Sequence, residues 1–220
     1  AHNFFKKATE RACNYWLPMV NDLKGIIIGG PGATKDFVVK NDYFHHEIKK
    51  LIAEPFFDVG YSNESGLREL VQRAGSTMDQ IELDVERTIV DRFLQEVMQA
   101  NPKATYGEVM IRSALDQGAV ETLLISEAVT KRRVKWICKE CKNTWKTSHD
   151  KSSAPPNCPQ CGSNKAFEDE ENSMELIDEL TVLAGHTSAK VRIISLDTEE
   201  GATLNTAFGG IAALLRYAIS

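Results

Sequence analysis

Cys138-Lys-Glu-Cys141 and Cys158-Pro-Gln-Cys161, with sixteen residues between the two pairs, decide how the second half of this chain is read. Four thiolates at this spacing can close a tetrahedron on one zinc ion, each pair turning through a tight knuckle while the loop brings the pairs together. Lys142-Asn143 follows the first pair, Pro159 sits inside the second, and Gly162 follows it, where a positive φ is easiest for glycine. Two disulfides, or four unrelated buried cysteines, are the competing explanations, and two matched Cys-x2-Cys knuckles are the more specific pattern. Four sulfurs leave no open ligand position, so the predicted Zn2+ is structural. His149 is expected to be a solvated loop histidine and not a ligand. Strand-like Val134-Lys-Trp-Ile137 leads in, Pro155-Pro156 punctuates the middle, and Lys165-Ala-Phe167 leads out. A zinc ribbon inserted over about residues 133–168 is the expectation.

Outward from this module, 220 residues with 42% apolar side chains suffice for globular cores. There is no 18-residue apolar run and no signal-peptide pattern, so no membrane partner is expected. With four of five cysteines assigned to metal, the reading is a reducing, cytoplasmic setting, with Cys13 in the core of a helix. The net charge of −5 hides a split: residues 131–165 hold nine Lys or Arg against two acids, leaving +7 there and −12 elsewhere. Either a nucleic-acid contact or a solvated basic face around the metal follows from that patch.

Periodicity predicts a helix over residues 3–16, a buried strand at Gly25-Ile-Ile-Ile28 ended by Gly29-Gly-Pro-Gly32, and a helix over residues 43–53 closed by Pro55. A strand at Phe56-Phe-Asp-Val59 and a helix over residues 65–74 follow. Strand, helix, strand, helix implies α/β architecture. Thr77-Met-Asp-Gln80 reads as a capping box opening a long helix that Asn101-Pro102 stops. The domain boundary is placed at its start, giving domains over residues 1–75 and 76–220. Beyond lie a helix over residues 106–117, a strand Val120–Ile125, a solvated acidic loop Glu168-Asp-Glu-Glu171, a helix over residues 173–184, a strand Val191–Ile194 and a final strand within residues 208–217. The expected fold class is two successive sheet-plus-helix domains joined at a long helix, the second carrying the ribbon.

Gly29-Gly-Pro-Gly-Ala-Thr-Lys35 invites a phosphate-loop reading and fails it. Thr34 stands before Lys35 where glycine belongs, Asp36 follows it, and Pro31 removes a backbone donor. No local nucleophile, base and orienting group can be assembled, so no catalytic residue is assigned.

Several stretches resemble the archaeal and eukaryotic class 1 peptide chain release factor: Gly25–Lys35 and Glu64–Leu70 its middle domain, Tyr106–Val109 and Ala114–Leu124 the opening of its C-terminal domain. Phe208-Gly-Gly-Ile211 and Leu215-Arg-Tyr217 are similar to the tail motif that, in the family, helps bind a translational GTPase of the elongation-factor type. The resemblance implies translation termination on the ribosome, with Phe208, Gly209, Gly210, Ile211, Leu215, Arg216 and Tyr217 in partner binding and ribosomal RNA as a further partner. A zinc-bearing minidomain resembles the archaeal branch. The family's Gly-Gly-Gln is not in this sequence, since Gly29-Gly30 runs into Pro31 and Gly209-Gly210 into Ile211. The expectation is therefore a C-terminal portion of such a factor, without enzymatic activity of its own. Pelota-type ribosome-rescue factors, an RNA-binding zinc-ribbon module and a nucleotide-dependent enzyme built on the Gly29 turn are the alternatives. Arg216, a charged residue in an apolar strand, is expected to meet solvent or an acid and to leave the fold largely indifferent to its loss.

Overall fold

A computed structural model describes residues 2–41 and 43–219, which divide into two compact units, Ala1–Val85 and Glu86–Ser220. In the first unit, helix α1 (His2–Trp16) carries Cys13 on its buried face, and strand β1 (Ile26–Gly30) follows. The glycine turn leads into α2 (Thr34–Lys40), then α3 (His46–Leu51), β2 (Ile52–Asp58) and α4 (Glu64–Arg73). β1 and β2 pair in parallel, and Cys13, Ile26 and Ile48 form the core with Trp16, Leu23, Phe44 and Ile52 around them. The helix expected to run to residue 53 stops at Leu51, and Pro55 lies inside β2. A two-stranded sheet is all edge, so a residue without an N–H is tolerated there.

Lys35 is nearly buried, and its Nζ donates to the Gly32 carbonyl at 2.8 Å and to Asp58 Oδ1 at 2.7 Å. The Asp58 hydrogen bond is the main cause that raises the Lys35 pKa. The ammonium ties the end of β1 to the end of β2, which removes the cation a phosphate would need and with it the nucleotide reading of the turn.

The long helix α5 (Gly75–Val97) starts earlier than the capping box proposed. Ala74 donates its N–H to Leu70 and accepts from Met78, so α4 hands over directly to α5 and Thr77 sits inside the helix. Its last three turns belong to the second unit, where Val90 and Phe93 are fully buried.

The second unit continues with β3 (Ala104–Tyr106), α6 (Glu108–Asp116), β4 (Val120–Ser126), β5 (Arg132–Cys138), β6 (Thr144–His149), β7 (Ala166–Glu168) and β8 (Met174–Glu175). Then come α7 (Leu176–His186), β9 (Lys190–Ile194), α8 (Glu199–Phe208) and β10 (Ile211–Leu215). Two of these correct the sequence reading. Tyr106 is strand and not helix, and α8 had no apolar period to announce it, burying only Gly201 and Leu204. The main sheet has the order β3-β10-β4-β9, with β10 antiparallel to both neighbours and β4 parallel to β9.

Both faces of this sheet are covered. Ile211, Ala213 and Leu215 pack with Val120, Leu123 and Ile125 against Ile111 and Leu115 of α6 and Leu176 and Leu180 of α7. Ala212, Leu214, Leu124 and Ile194 face Val90 and Phe93 of α5 and Leu204 of α8. A register shift between Leu214 and Leu215 sets Val120 opposite Leu215, so Val120 shares a face with Leu123 and Ile125 despite its odd spacing. Strands buried on both sides read as continuous apolar runs, which is why alternation fails as a guide to β4 and β10.

Arg216 lies just past β10 and is exposed, as expected, but its guanidinium is also tied to the fold. Its Nη1 donates to the Gly118 carbonyl at 2.8 Å, and its Nη2 to the Thr187 and Ser188 carbonyls at 3.0 and 3.2 Å. These groups follow the C-termini of α6 and α7, where unpaired carbonyls and the helix dipoles favour a cation. Replacing Arg216 with Ala is expected to destabilise the second unit by about 1–2 kcal/mol. The measurement is amide exchange across β4, which should accelerate, with Arg216→Lys restoring only part of the protection. Unchanged exchange in Arg216→Ala would mean that the three carbonyls need no cation.

Candidate metal centre and the flanks of the last strand

β5 pairs with β6 over six residue pairs, and with β7 and β8 on its other side, making a four-stranded sheet separate from the main one. The four cysteines gather at the far end of β5, whose last residue is Cys138. Each knuckle is closed by the same two backbone bonds: Cys138 N to Asn143 O at 3.0 Å and Lys142 N to Cys138 O at 3.1 Å, matched by Cys158 N to Ser163 O at 2.8 Å and Gly162 N to Cys158 O at 2.9 Å. The fourth residue after each leading cysteine is left-handed, Gly162 at φ 71° and Lys142 at φ 60°. Only the second knuckle uses the residue for which that backbone is unstrained.

All four Sγ atoms lie within 4.8 Å of one another, and the Cys138–Cys161 and Cys141–Cys158 pairs are 3.6 Å apart. A tetrahedron with metal–sulfur bonds of about 2.3 Å has edges of about 3.8 Å, so the observed separations suit one bound ion. They are far beyond a disulfide bond length of about 2.05 Å, which removes the disulfide alternative in this structure. Cys138 and Cys158 are buried, whereas Cys141 and Cys161 lie at the surface.

Backbone amides favour the thiolates. The Cys141 N–H, followed by that of Glu140, lowers the Cys138 pKa. Burial opposes ionisation of Cys158, yet the amides of Cys161 and Gln160 hold its pKa down at about 6. The Asn143 amide also favours the Cys141 thiolate, but burial and the three neighbouring sulfurs push that pKa up to about 12. Four sulfurs so arranged cannot all ionise unless a cation joins them. His149 is not a loop residue: it ends β6, stacks edge-on against Trp136 at 5.1 Å, and its Nε2 lies 3.1 Å from the Ser153 carbonyl.

The module docks on its host through a network that sequence reading missed. Glu108 and Arg112 of α6, Glu179 of α7, Arg133 of β5 and Ser148 of β6 meet around two half-buried carboxylates. Arg112 bonds Glu108 at 2.9 Å and Glu179 at 2.5 Å, Arg133 approaches both at 3.6 and 3.7 Å, and Ser148 Oγ donates to Glu108 at 2.5 Å. Burial opposes the charge on Arg112, and its two carboxylate partners more than offset this, so its pKa is raised. Only the i,i+4 spacing of Glu108 and Arg112 was visible in the sequence. Of the four acids expected in a solvated loop, the first two are paired, Glu168 with Arg132 at 2.6 Å and Asp169 with Lys135 at 2.9 Å, while Glu170 and Glu171 are exposed.

The seven residues of the tail do not share one surface. Gly210 and Ile211 to Leu215 are buried. Phe208 stands before the strand, its ring 5.0 Å from both Phe93 and Tyr106. Gly209 ends α8 at φ 71°, and a Cβ on Gly210, at φ 77°, would lie 2.8 Å from Val129 Cγ2. Arg216 and Tyr217 are exposed beyond the strand, with Tyr217 Oη donating to the Gln117 carbonyl at 2.8 Å.

Two family descriptions match the chain in succession, eRF1 domain 2 over residues 1–80 and eRF1 domain 3 over residues 83–219. Peptide chain release factor subunit 1 of Thermococcus onnurineus is 43% identical over 227 residues, spanning 99% of this chain and 54% of its own length. The protein of the same name from Archaeoglobus fulgidus is 41% identical over 98% of this chain and 52% of its own. The chain thus spans about half the length of the curated relatives it matches. Among solved structures, the C-terminal domain of peptide chain release factor from Methanosarcina mazei aligns with a TM-score of 0.58 at 37% identity, over 72% of this chain and 98% of that one. A ribosome-bound archaeal Pelota, solved with ABCE1, aligns over all of this chain and 50% of its own with a TM-score of 0.61, but at 20% identity this is a likeness of fold. With both domains matched in order and one solved relative covered almost whole, the chain belongs to the eRF1 family of peptide chain release factors.

Proposed function

We propose that the chain supplies the middle and C-terminal parts of a translation termination factor acting on the cytoplasmic ribosome at stop codons. The observation that carries this reading is the end-to-end match of two consecutive release-factor domains over residues 1–80 and 83–219. Identity near 40% with archaeal release factors favours it over the Pelota reading, which rests on fold alone. In this proposal the chain has no catalytic residue, because the Gly-Gly-Gln that the family resemblance assigns to peptide release is not in its sequence.

Cys138, Cys141, Cys158 and Cys161 hold one structural Zn2+ in the proposal. Support comes from the sulfur separations and from the chemistry of four thiolates, which suits zinc in a closed site. Bound there, the ion would supply the charge that keeps all four sulfurs ionised and would staple the two knuckles together. Metal analysis of the purified protein should give about one zinc per chain with sulfur ligation only. Cys138→Ser should abolish zinc binding and unfold the four-cysteine module while the main sheet keeps its amide protection. A metal content near zero in protein never exposed to chelator would refute the site.

The partner in this proposal is a translational GTPase of the elongation-factor type, met at the flanks of β10. Five residues of strand span about 17 Å, so Phe208 and Gly209 at one end and Arg216 and Tyr217 at the other are separate contacts. Gly210, Ile211 and Leu215 contribute by fixing the ends. Tyr217, 47% exposed, is the residue whose loss can be read at the interface. Tyr217→Ala is expected to weaken GTPase binding by about 1–2 kcal/mol in calorimetric titration, with zinc content unchanged. The 220-residue chain should release no peptide from programmed ribosomes above a no-factor control. Binding unaffected by Tyr217→Ala would move the contact elsewhere, and measurable release would contradict the non-catalytic reading.

A further inference from the structure

Directly opposed residues of antiparallel strands share a face, so Arg133, Lys135 and Ile137 lie on one side of β5 with Ser148, Lys146 and Thr144 of β6 and Phe167 of β7, and Lys139 follows in the turn just past the strand. This face is used twice along its length. Its near half carries Arg133 and Ser148 into the Glu108–Glu179 network and is spent on docking. The residues of the far half take no part in that network. There Ile137 and Phe167 are paired across the strands, and Phe167 remains 41% exposed. Lys139 Nζ stands 5.9 Å over the Phe167 ring, and Lys146 lies on the same side of the sheet on the outer strand, opposite Lys135.

Charge sorts the remaining cations of the module. Arg132, Lys135, Lys151 and Lys165 are each held by a carboxylate: Glu168, Asp169, Glu175 and Glu140 respectively. Lys139 and Lys146 are exposed and meet no acid among the described residues, and of the other two cations Lys131 precedes β5 and Lys142 stands in the first knuckle. The patch therefore combines an exposed aromatic ring and an aliphatic neighbour with two ammonium groups that no carboxylate holds, one of them already over the ring. That combination accepts a base on the ring and phosphates on the lysines. An acidic peptide would satisfy the lysines and leave the ring without use.

We infer that the far half of this face binds single-stranded RNA, with a base stacked on Phe167 and phosphates met by Lys139 and Lys146. The inference rests on the ribosomal reading above and names the chemistry of one contact within it. Glu170 and Glu171 follow β7, so the RNA path runs from Phe167 toward Lys146 and the outer strand and away from these acids.

The test is fluorescence anisotropy of a labelled twelve-nucleotide uridine RNA titrated with the 220-residue protein over a range of salt. Phe167→Ala should weaken binding about tenfold. Removing Lys139 and Lys146 together, as Ala, should lower the slope of log affinity against log salt by about 1.4, the share of two single-strand phosphates. Lys151→Ala is the control, since Glu175 holds that ammonium, and it should leave both readouts unchanged. Zinc content, measured on every variant, reports whether the module is folded. No binding at about 50 mM salt, or equal weakening by Lys151→Ala, overturns the inference. Binding of poly-glutamate with the same dependence on Phe167 overturns it in favour of an acidic protein partner. Calorimetry with the GTPase reads the termination proposal separately, so intact GTPase binding beside absent RNA binding removes only this contact.

Discussion

Burial of β10 on both faces is the constraint from which the second unit follows. Ile211 to Leu215 expose no side chain, which requires helices on each side of the sheet and a strand on each edge. α6 and α7 cover one face, α5 and α8 the other. The chain must enter this closed position tightly. Two successive left-handed glycines turn it out of α8, and at Gly210 no side chain fits against Val129. It must also leave tightly, and Arg216 uses the exit to hold two helix ends whose carbonyls would otherwise depend on water. A tail that looks from its sequence like a binding motif is therefore first a piece of core, and any partner reaches only its two flanks.

What could be read from the sequence, and what could not, divides by the range of the interaction. The knuckles were legible because Cys-x2-Cys is a local device whose residues close on themselves. α5 and β4 were legible because their apolar periods are long and uninterrupted. The capping box was misread because Ala74 serves both as the end of α4 and the beginning of α5, and a four-residue pattern cannot reveal that its first residue is already helical. α8 escaped because its one buried apolar side chain, Leu204, finds its partners far along the chain, and its local signal was no more than the Thr198 cap that accepts the Gly201 N–H. The pairing of Arg112 with Glu179 crosses 67 residues, and no spacing rule reaches so far.

The charge split is a further case in which composition and structure differ in meaning. The segment holding the cysteines looked like a strongly basic surface, yet four of its cations are taken up by ion pairs within the module, and Arg133 is spent on docking to α6 and α7. These partly exposed pairs add little stability singly, but they leave a much smaller set of cations to interact with anything else. Net charge set the sign of the module's field, while the ion pairs set which residues can express it.

β5 and β8 carry the chain out to the cysteines and back, and they are paired with each other at Arg132–Glu175 and Arg133–Met174. The chain thus departs and returns at one point, with backbones only about 5 Å apart. Seen from the host sheet, the forty-odd residues between are a closed excursion whose length enters only through a slowly growing logarithm of loop entropy. Lengthening or shortening it would hardly alter the distance over which β4 and β9 must find each other during folding. The host can therefore tolerate a module of very different size at this position, and a population of related chains is free to vary there without renegotiating the fold.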